Sequence, residues 1–287
     1  MAAQRFFSPQ RREQWAFALL RLALALVLLP VIFILCYMAV KGVPGLTWEF
    51  LTTAPRQGMR AGGIFPALIG TLCLVVGTIA VALPLGVCAA IYLNEYARPS
   101  RWTRLLRLAI VNLAGVPSVV YGLFGLGFFV IFLRFGTSII AGSLTLAIMS
   151  LPVIITASEE ALRSVPDAFR QVAYSLGATR WQMVRTAVLP YALPGILTGA
   201  ILGVSRAAGE TAPILLTVAA FYLPRLPHSI FDQAMALPYH LYVLSTQVPH
   251  VPPRITYGTA LVLVGLVVLL NLAAIVIRAH FRRKRQW

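Results

Sequence analysis

The chain has 287 residues, 59% of them hydrophobic and 11% charged, and its mean hydropathy is +0.84. That is too apolar for a water-soluble domain and excludes one. It is also basic, with 24 Lys and Arg against 8 Asp and Glu. The positive charge sits in short blocks beside apolar runs rather than on one contiguous face, which is a membrane pattern and not a nucleic-acid surface.

A helix needs about 20 apolar residues to cross a bilayer, and six stretches meet that length: 15–40, 64–96, 105–135, 139–157, 192–223 and 257–277. The expectation is an all-α polytopic membrane protein. It has a short segment 1–14, a six-helix domain over 15–280 and a basic tail 281–287. The first run is full length with no small-residue cleavage site after it, so it reads as a spanning helix rather than a removable signal. Arg5, Arg11, Arg12 and Arg21 stand before or at its start. The segment 41–63, with Trp48, Glu49 and Phe50, leads into the second run. Arg98, Arg101, Arg104 and Arg107 separate the second run from the third, which carries a polar break at Asn112, Pro117 and Ser118. That break either faces a pathway or makes an interhelical hydrogen bond.

Arg163, Arg170, Arg180 and Arg185 lie between the fourth and fifth runs. The segment 224–256, rich in proline and aromatics, separates the fifth from the sixth. Arg278, Arg282, Arg283, Lys284 and Arg285 close the chain. Seventeen of the 24 cations therefore fall on one side and six on the other (Lys41, Arg56, Arg60, Arg134, Arg225, Arg254). The positive-inside rule puts both termini in the cytoplasm. The two outer segments read either as interfacial aromatic anchors or as a landing surface for an external partner. Prolines at 30, 84, 117, 152, 194 and 213 predict kinks or breaks. Cys36, Cys73 and Cys88 lie in apolar runs as small core residues, and His228, His240, His250 and His280 are scattered outside the spans. Neither set has a metal-ligand spacing, so no metal or cofactor is expected.

Inside the fifth run the chain reads Arg206-Ala-Ala-Gly-Glu210-Thr211-Ala-Pro213. A charge at the bilayer centre costs roughly 2.5–3.5 kcal/mol or more, which makes it a functional candidate by default. Four residues apart, Arg206 and Glu210 share a helix face. Two readings stand side by side: a switchable pair on a polar path, with Thr211 as a neutral donor, or a charge pair that locks this helix against a partner subunit. Gly195, Gly199 and Gly203, at four-residue spacing, point to close helix packing.

The cytoplasmic segment 158–190 is too polar to insert and too patterned to be a floppy loop. Ser164-Val-Pro-Asp167 reads as a helix start, with Phe169, Val172, Ala173 and Leu176 at amphipathic spacing. Gly177 supplies a helix stop. Thr179-Arg-Trp-Gln182 reads as a capping box that starts a second helix, with Trp181, Val184 and Val188 on one face. Pro190 then closes it. Such an elbow either rests on the membrane surface or fits a groove in a cytoplasmic partner.

Gln171-Val-Ala173, Gly177 and Leu189-Pro190 resemble the Glu-Ala-Ala loop of ABC importer permeases, with Gln171, Val172 and Ala187 departing from its pattern. Arg206-Ala-Ala-Gly-Glu-Thr-Ala-Pro213 resembles the signature of the PstA-type membrane subunits of phosphate importers. So do Glu160–Pro166, Leu176–Gln182 and Gly62-Gly-Ile-Phe-Pro66 with Gly70-Thr71. The likeness runs from about Lys41 onward. It implies the six-helix type I permease fold in a prokaryotic inner membrane, with phosphate as cargo and Arg206, Glu210 and Thr211 on its path. It further implies that Gln171, Ala173, Gly177, Ala178, Trp181, Leu189 and Pro190 couple to a separate ATPase. The partners it implies are a second, homologous permease, two copies of that ATPase and an external phosphate-binding protein.

The chain's two lysines, Lys41 and Lys284, are preceded by Val40 and Arg283. No glycine-rich phosphate loop ending in Gly-Lys-Ser/Thr exists, so ATP is expected to be hydrolysed by another chain. Two alternatives remain open from the residues. One is an importer for another oxyanion or solute, against which the Gly-Glu-Thr-Ala-Pro run speaks. The other is a stand-alone transporter or channel, which would not need the elbow.

Overall fold

The structure, a computed structural model, describes residues 9–283. The side chains of Arg5, Arg11, Arg12, Arg282, Arg283, Lys284 and Arg285, on which the reading of the two end segments rests, lie outside the described residues. In hydrocarbon every backbone N–H and C=O must be satisfied internally, so apolar runs of this length fold as helices. In chain order they are α1 (Pro9–Gly42), the short α2 (Trp48–Thr52) and a small hairpin of β1 (Pro55–Arg56) with β2 (Ala61–Gly62). Next come α3 (Phe65–Ile91), α4 (Arg101–Ala114), α5 (Ser118–Gly125) and α6 (Ile139–Arg163). The chain then forms α7 (Asp167–Ser175), α8 (Arg180–Met183) and α9 (Leu189–Gly209). It ends with α10 (Ala212–Thr217), α11 (Leu237–Thr246) and α12 (Pro253–Arg283). Wider π-helical turns extend α3 (Tyr92–Tyr96), α5 (Leu126–Phe132) and α8 (Val184–Val188).

Five helices are long and apolar enough to cross a membrane, although the fifth runs over Arg180–Gly209 rather than 192–223, and a broken pair, α4 and α5, bent by 102°, makes a sixth. The kink or break expected in the third run, read over 105–135, is this sharp bend at Gly115–Pro117. Of the six prolines, Pro30, Pro84, Pro152 and Pro194 stay inside helices, while Pro117 and Pro213 stand at breaks. Both breaking prolines have a glycine a few residues earlier, Gly115 and Gly209, where the helix ends at little conformational cost.

α9 packs on α6 through small residues. A Cβ placed on Gly195 would stand 2.5 Å from the Ala161 Cβ, one on Gly199 2.7 Å from the Ala157 Cβ, and one on Gly203 3.0 Å from Ile154. These glycines therefore let α9 lie against α6 in an antiparallel register, as expected from their spacing. Overpacking such a contact costs about 1–3 kcal/mol. Gly199→Leu should accordingly lower the yield of folded protein in detergent, while Gly209→Ala, which has nothing within 4 Å, should not. Equal yields by size-exclusion chromatography would show that the seam is not tight.

The segment 224–256, expected as an interfacial anchor or a landing surface, is in part buried. After α10 it returns into the bundle, where residues 218–220 run beside 234. The first N–H groups of α6, which have no partner within their own helix, are taken up there: Ser138, Ile139 and Ile140 donate to the carbonyls of Thr217, Asp232 and Ile230. Leu237 N–H donates to Thr71 Oγ1 at 2.8 Å. Met235, Leu237, Val243 and Leu244 form a buried core with Phe50, Met59 and Ile64.

His240, outside the spans as expected, is buried there too, and its Nδ1 has no hydrogen-bond partner among the described residues. Burial pushes its pKa down to about 4. The folded state therefore holds it neutral while the unfolded chain protonates near pH 6.5. Stability is complete above that value and falls as pH drops from 6.5 toward 4, by roughly 3 kcal/mol in all. His240→Gln should flatten thermal unfolding over this window, and an unchanged slope would place the acid sensitivity elsewhere. The cysteines correct a further expectation in part: Cys36 and Cys88 are exposed on this chain, whereas Cys73 is half-buried against the core around Leu74.

Candidate functional site

α9 begins at the arginine-rich end of the bundle and ends at Gly209. Glu210 turns the chain extended (φ −75°, ψ 134°), and α10 starts again at Ala212 with Pro213 in its first turn. Proline lacks the N–H that would continue the helix and fits the first turn of the next one. Arg206 and Glu210 thus flank a break in the fifth span rather than sitting in an unbroken helix.

Two registers fix the depth of that break. The antiparallel pairing of Gly195 with Ala161 and Gly199 with Ala157 sets Arg206 level with Ser150, midway along α6. On the other side Arg278 Nη1 donates to Thr198 Oγ1 at 3.2 Å and Ser205 Oγ bonds the Asn271 side chain. That pairing sets Arg206 beside the middle of α12. Non-helical backbone at such depth occurs where it is packed in protein or lines a wet cavity.

Arg206 Nε donates to Glu210 Oε1 at 3.3 Å, and the two side chains are 31% and 19% exposed. A guanidinium carries five N–H donors. The other four on Arg206 have no partner among the described residues, and neither does the Thr211 hydroxyl. Tyr121 of α5 lies within reach of the Arg206 charge and ties its own hydroxyl to the Leu113 carbonyl at 2.7 Å. The adjacent face is open: Gly209, Leu202 and Leu215 are exposed.

At the basic end the segment 158–190 begins later than expected. α6 continues to Arg163, and Ser164 caps its end rather than starting α7. Thr179 and Gln182 make both bonds of a capping box. Gly177 has φ +79°, a backbone that a β-carbon strains even with open space around it. The apolar stripes are split. Phe169 and Ala173 turn inward, whereas Val172 and Leu176 are exposed. Val184 and Val188 are fully buried, yet Trp181 is exposed. Between α7 and the turn after α8 lies an apolar groove of about 530 Å³, floored by Phe169, Ala173, Ala178 and Tyr191. Gln171 stands exposed beside it, while Leu189 and Pro190 start α9 half-buried.

Sequence reasoning missed the clamp behind this elbow. Arg170 gives Nε and Nη2 to the two Glu95 oxygens (3.3 and 2.8 Å). It gives its remaining donors to the Val165 carbonyl, Asp167 and the Leu162 carbonyl (2.7, 3.1 and 2.9 Å). The bond to Glu95 holds the guanidinium above its ordinary pKa. Glu159 likewise pairs with Arg107 and Arg163, each at 2.7 Å. The available signal was that acids at span ends, in a chain with only 8, face the arginine blocks. Among the described residues no group of three or more His, Cys, Asp or Glu is placed to hold a metal.

Residues 82–287 match the family model for the binding-protein-dependent transport system inner membrane component. The chain belongs to that family. This permease is 36% identical over 252 residues to the probable ABC transporter permease protein YqgI of Bacillus subtilis strain 168, covering 83% of this chain and 85% of that one. It is 36% identical over 264 residues to the phosphate transport system permease protein PstA 1 of Mycobacterium tuberculosis H37Rv, covering 90% and 85%. It superposes with a TM-score of 0.70 on a chain of a bacterial alginate ABC transporter solved with its alginate-bound periplasmic protein, over 98% of both chains at 16% identity. That last likeness concerns the fold alone, which is the type I permease fold of ABC importers.

Proposed function

We propose that this permease is the membrane subunit of an ATP-driven importer of inorganic phosphate, forming half of the path. The observation that carries the reading is Arg206, at mid-depth beside a helix break, with four N–H donors unspent among the described residues. Its planar fork suits phosphate oxygens, and Glu210 competes for the same guanidinium so that the anion is released rather than trapped. Thr211 adds a neutral donor. The relatives named for phosphate transport support this cargo.

In this reading the basic end and both termini face the cytoplasm. The elbow from Gln171 to Pro190, with Ala173, Gly177, Ala178, Trp181 and Leu189, receives the push of a separate ATPase present in two copies. A second, homologous permease covers the open face at Gly209, and an external phosphate-binding protein delivers cargo at the opposite end. The complex reconstituted in liposomes should take up labelled phosphate only with ATP and binding protein present, with excess sulfate failing to compete. Competition by sulfate as strong as by unlabelled phosphate would make it a general oxyanion importer. Uptake without ATP would refute the coupling.

A further inference from the structure

α4, the first half of the broken third span, differs from every other apolar segment. It sits at the basic end: Arg107 pairs with Glu159, four residues before the end of α6, and donates to the Leu93 carbonyl at 2.9 Å in the turn that closes α3. Arg104 and Arg101, one and two turns before it, come nearer the helix start, which Ser100 caps. No residue of α4 is buried, and the helix meets α5 at 102° instead of continuing across. With the loop before it, Arg101, Arg104, Arg107, Leu108 and Val111 line a groove of about 650 Å³. The groove is cationic along the first two turns of the helix and apolar along the next. Trp102, Leu105 and Leu106 flank it, all exposed.

Charge decides what fits. The sequence has no Asp or Glu between Glu95 and Glu159, and among the described residues no acid pairs with Arg98, Arg101 or Arg104. A guanidinium fork prefers a phosphate-type anion, and an amphipathic helix with an exposed tryptophan and unpaired arginines belongs in a bilayer interface. Basic pockets at that level select anionic headgroups.

We propose that this groove binds an anionic phospholipid, its phosphate held by Arg101 and Arg104 and an acyl chain laid along Leu108 and Val111. The proposal draws on the assignment of the basic end to the cytoplasm only to name the leaflet, which is the inner one. Bound lipid would brace α4 against its hinge at Gly115–Pro117. The far end of α4 carries the Leu113 carbonyl that Tyr121 bonds, and Tyr121 lies within reach of the Arg206 charge, so transport would also sense the lipid.

The test uses the complete transporter in nanodiscs of phosphatidylcholine with and without phosphatidylglycerol, followed by native mass spectrometry. Wild type should retain phosphatidylglycerol over phosphatidylcholine by roughly tenfold, and the Arg101→Gln/Arg104→Gln variant should lose that preference. The Arg101→Lys/Arg104→Lys variant should keep most of it. If the glutamine variant fails to assemble, a photoactivatable phosphatidylglycerol on wild type should label α4. Labelling only elsewhere, or equal retention of both lipids, overturns the proposal. Displacement by millimolar inorganic phosphate would make the groove a site for the free anion. A cross-link from Trp102→Cys to another subunit would make it a protein interface.

Discussion

Replacing Arg206 by Gln should lower ATP-driven phosphate uptake by roughly ten- to a hundredfold while the complex still assembles. The magnitude follows from losing hydrogen bonds to a charged ligand, about 1.5–3 kcal/mol. Assembly should survive because the pair makes only one long bond within the chain, at 3.3 Å, and neither side chain is fully buried. Arg206→Lys should fall between, keeping the charge but not the fork. Glu210→Gln should act in the opposite sense on affinity: without its competitor Arg206 holds the anion longer, so KM and the maximal rate fall together. Uptake kinetics with a co-purification assay separate the cases. Normal uptake in Arg206→Gln would end the pathway role, and a complex that falls apart would make the pair an assembly device.

What could be read from the sequence was whatever depends on local composition. The apolar runs, Gly177 as a stop and Thr179–Gln182 as a capping box depend on residues within one turn or one span, and each has its counterpart in the fold. The bend at Pro117 was legible as a polar break but not as a right angle, because hydropathy runs on through α4 and α5. The dive of residues 232–237 was not legible. Its buried backbone is satisfied by Thr71 and by the start of α6, distant partners that leave no period in the segment itself. The open break at Glu210 was half legible, since Gly209 and Pro213 announce a bend, while its depth depends on the register against α6 and α12. Arg170 was counted only as a topological charge. Its partner Glu95 lies 75 residues away, and nothing local joins them.

That pair supplies the other large effect. Arg170 spends every donor it has, tying the turn after α3, the end of α6 and the start of α7 into one body. Its side chain is 15% exposed and that of Glu95 only 5%. Arg170→Ala therefore leaves a buried carboxylate unpaired, and removing one partner of such a pair costs about 3–5 kcal/mol. The expected phenotype is a lower melting temperature together with ATP hydrolysis that no longer drives phosphate uptake, because the elbow moves without α3. Arg170→Lys should rescue little, since an ammonium cannot reach both carboxylate oxygens and two carbonyls at once. Arg170→Ala/Glu95→Ala should regain stability, as no orphaned charge remains, yet stay uncoupled. That divergence between melting temperature and phosphate moved per ATP distinguishes a transmission role from a purely structural one. A double variant with normal coupling would show that the packing of Phe169 on Tyr191, ring centres 4.7 Å apart, carries the push alone.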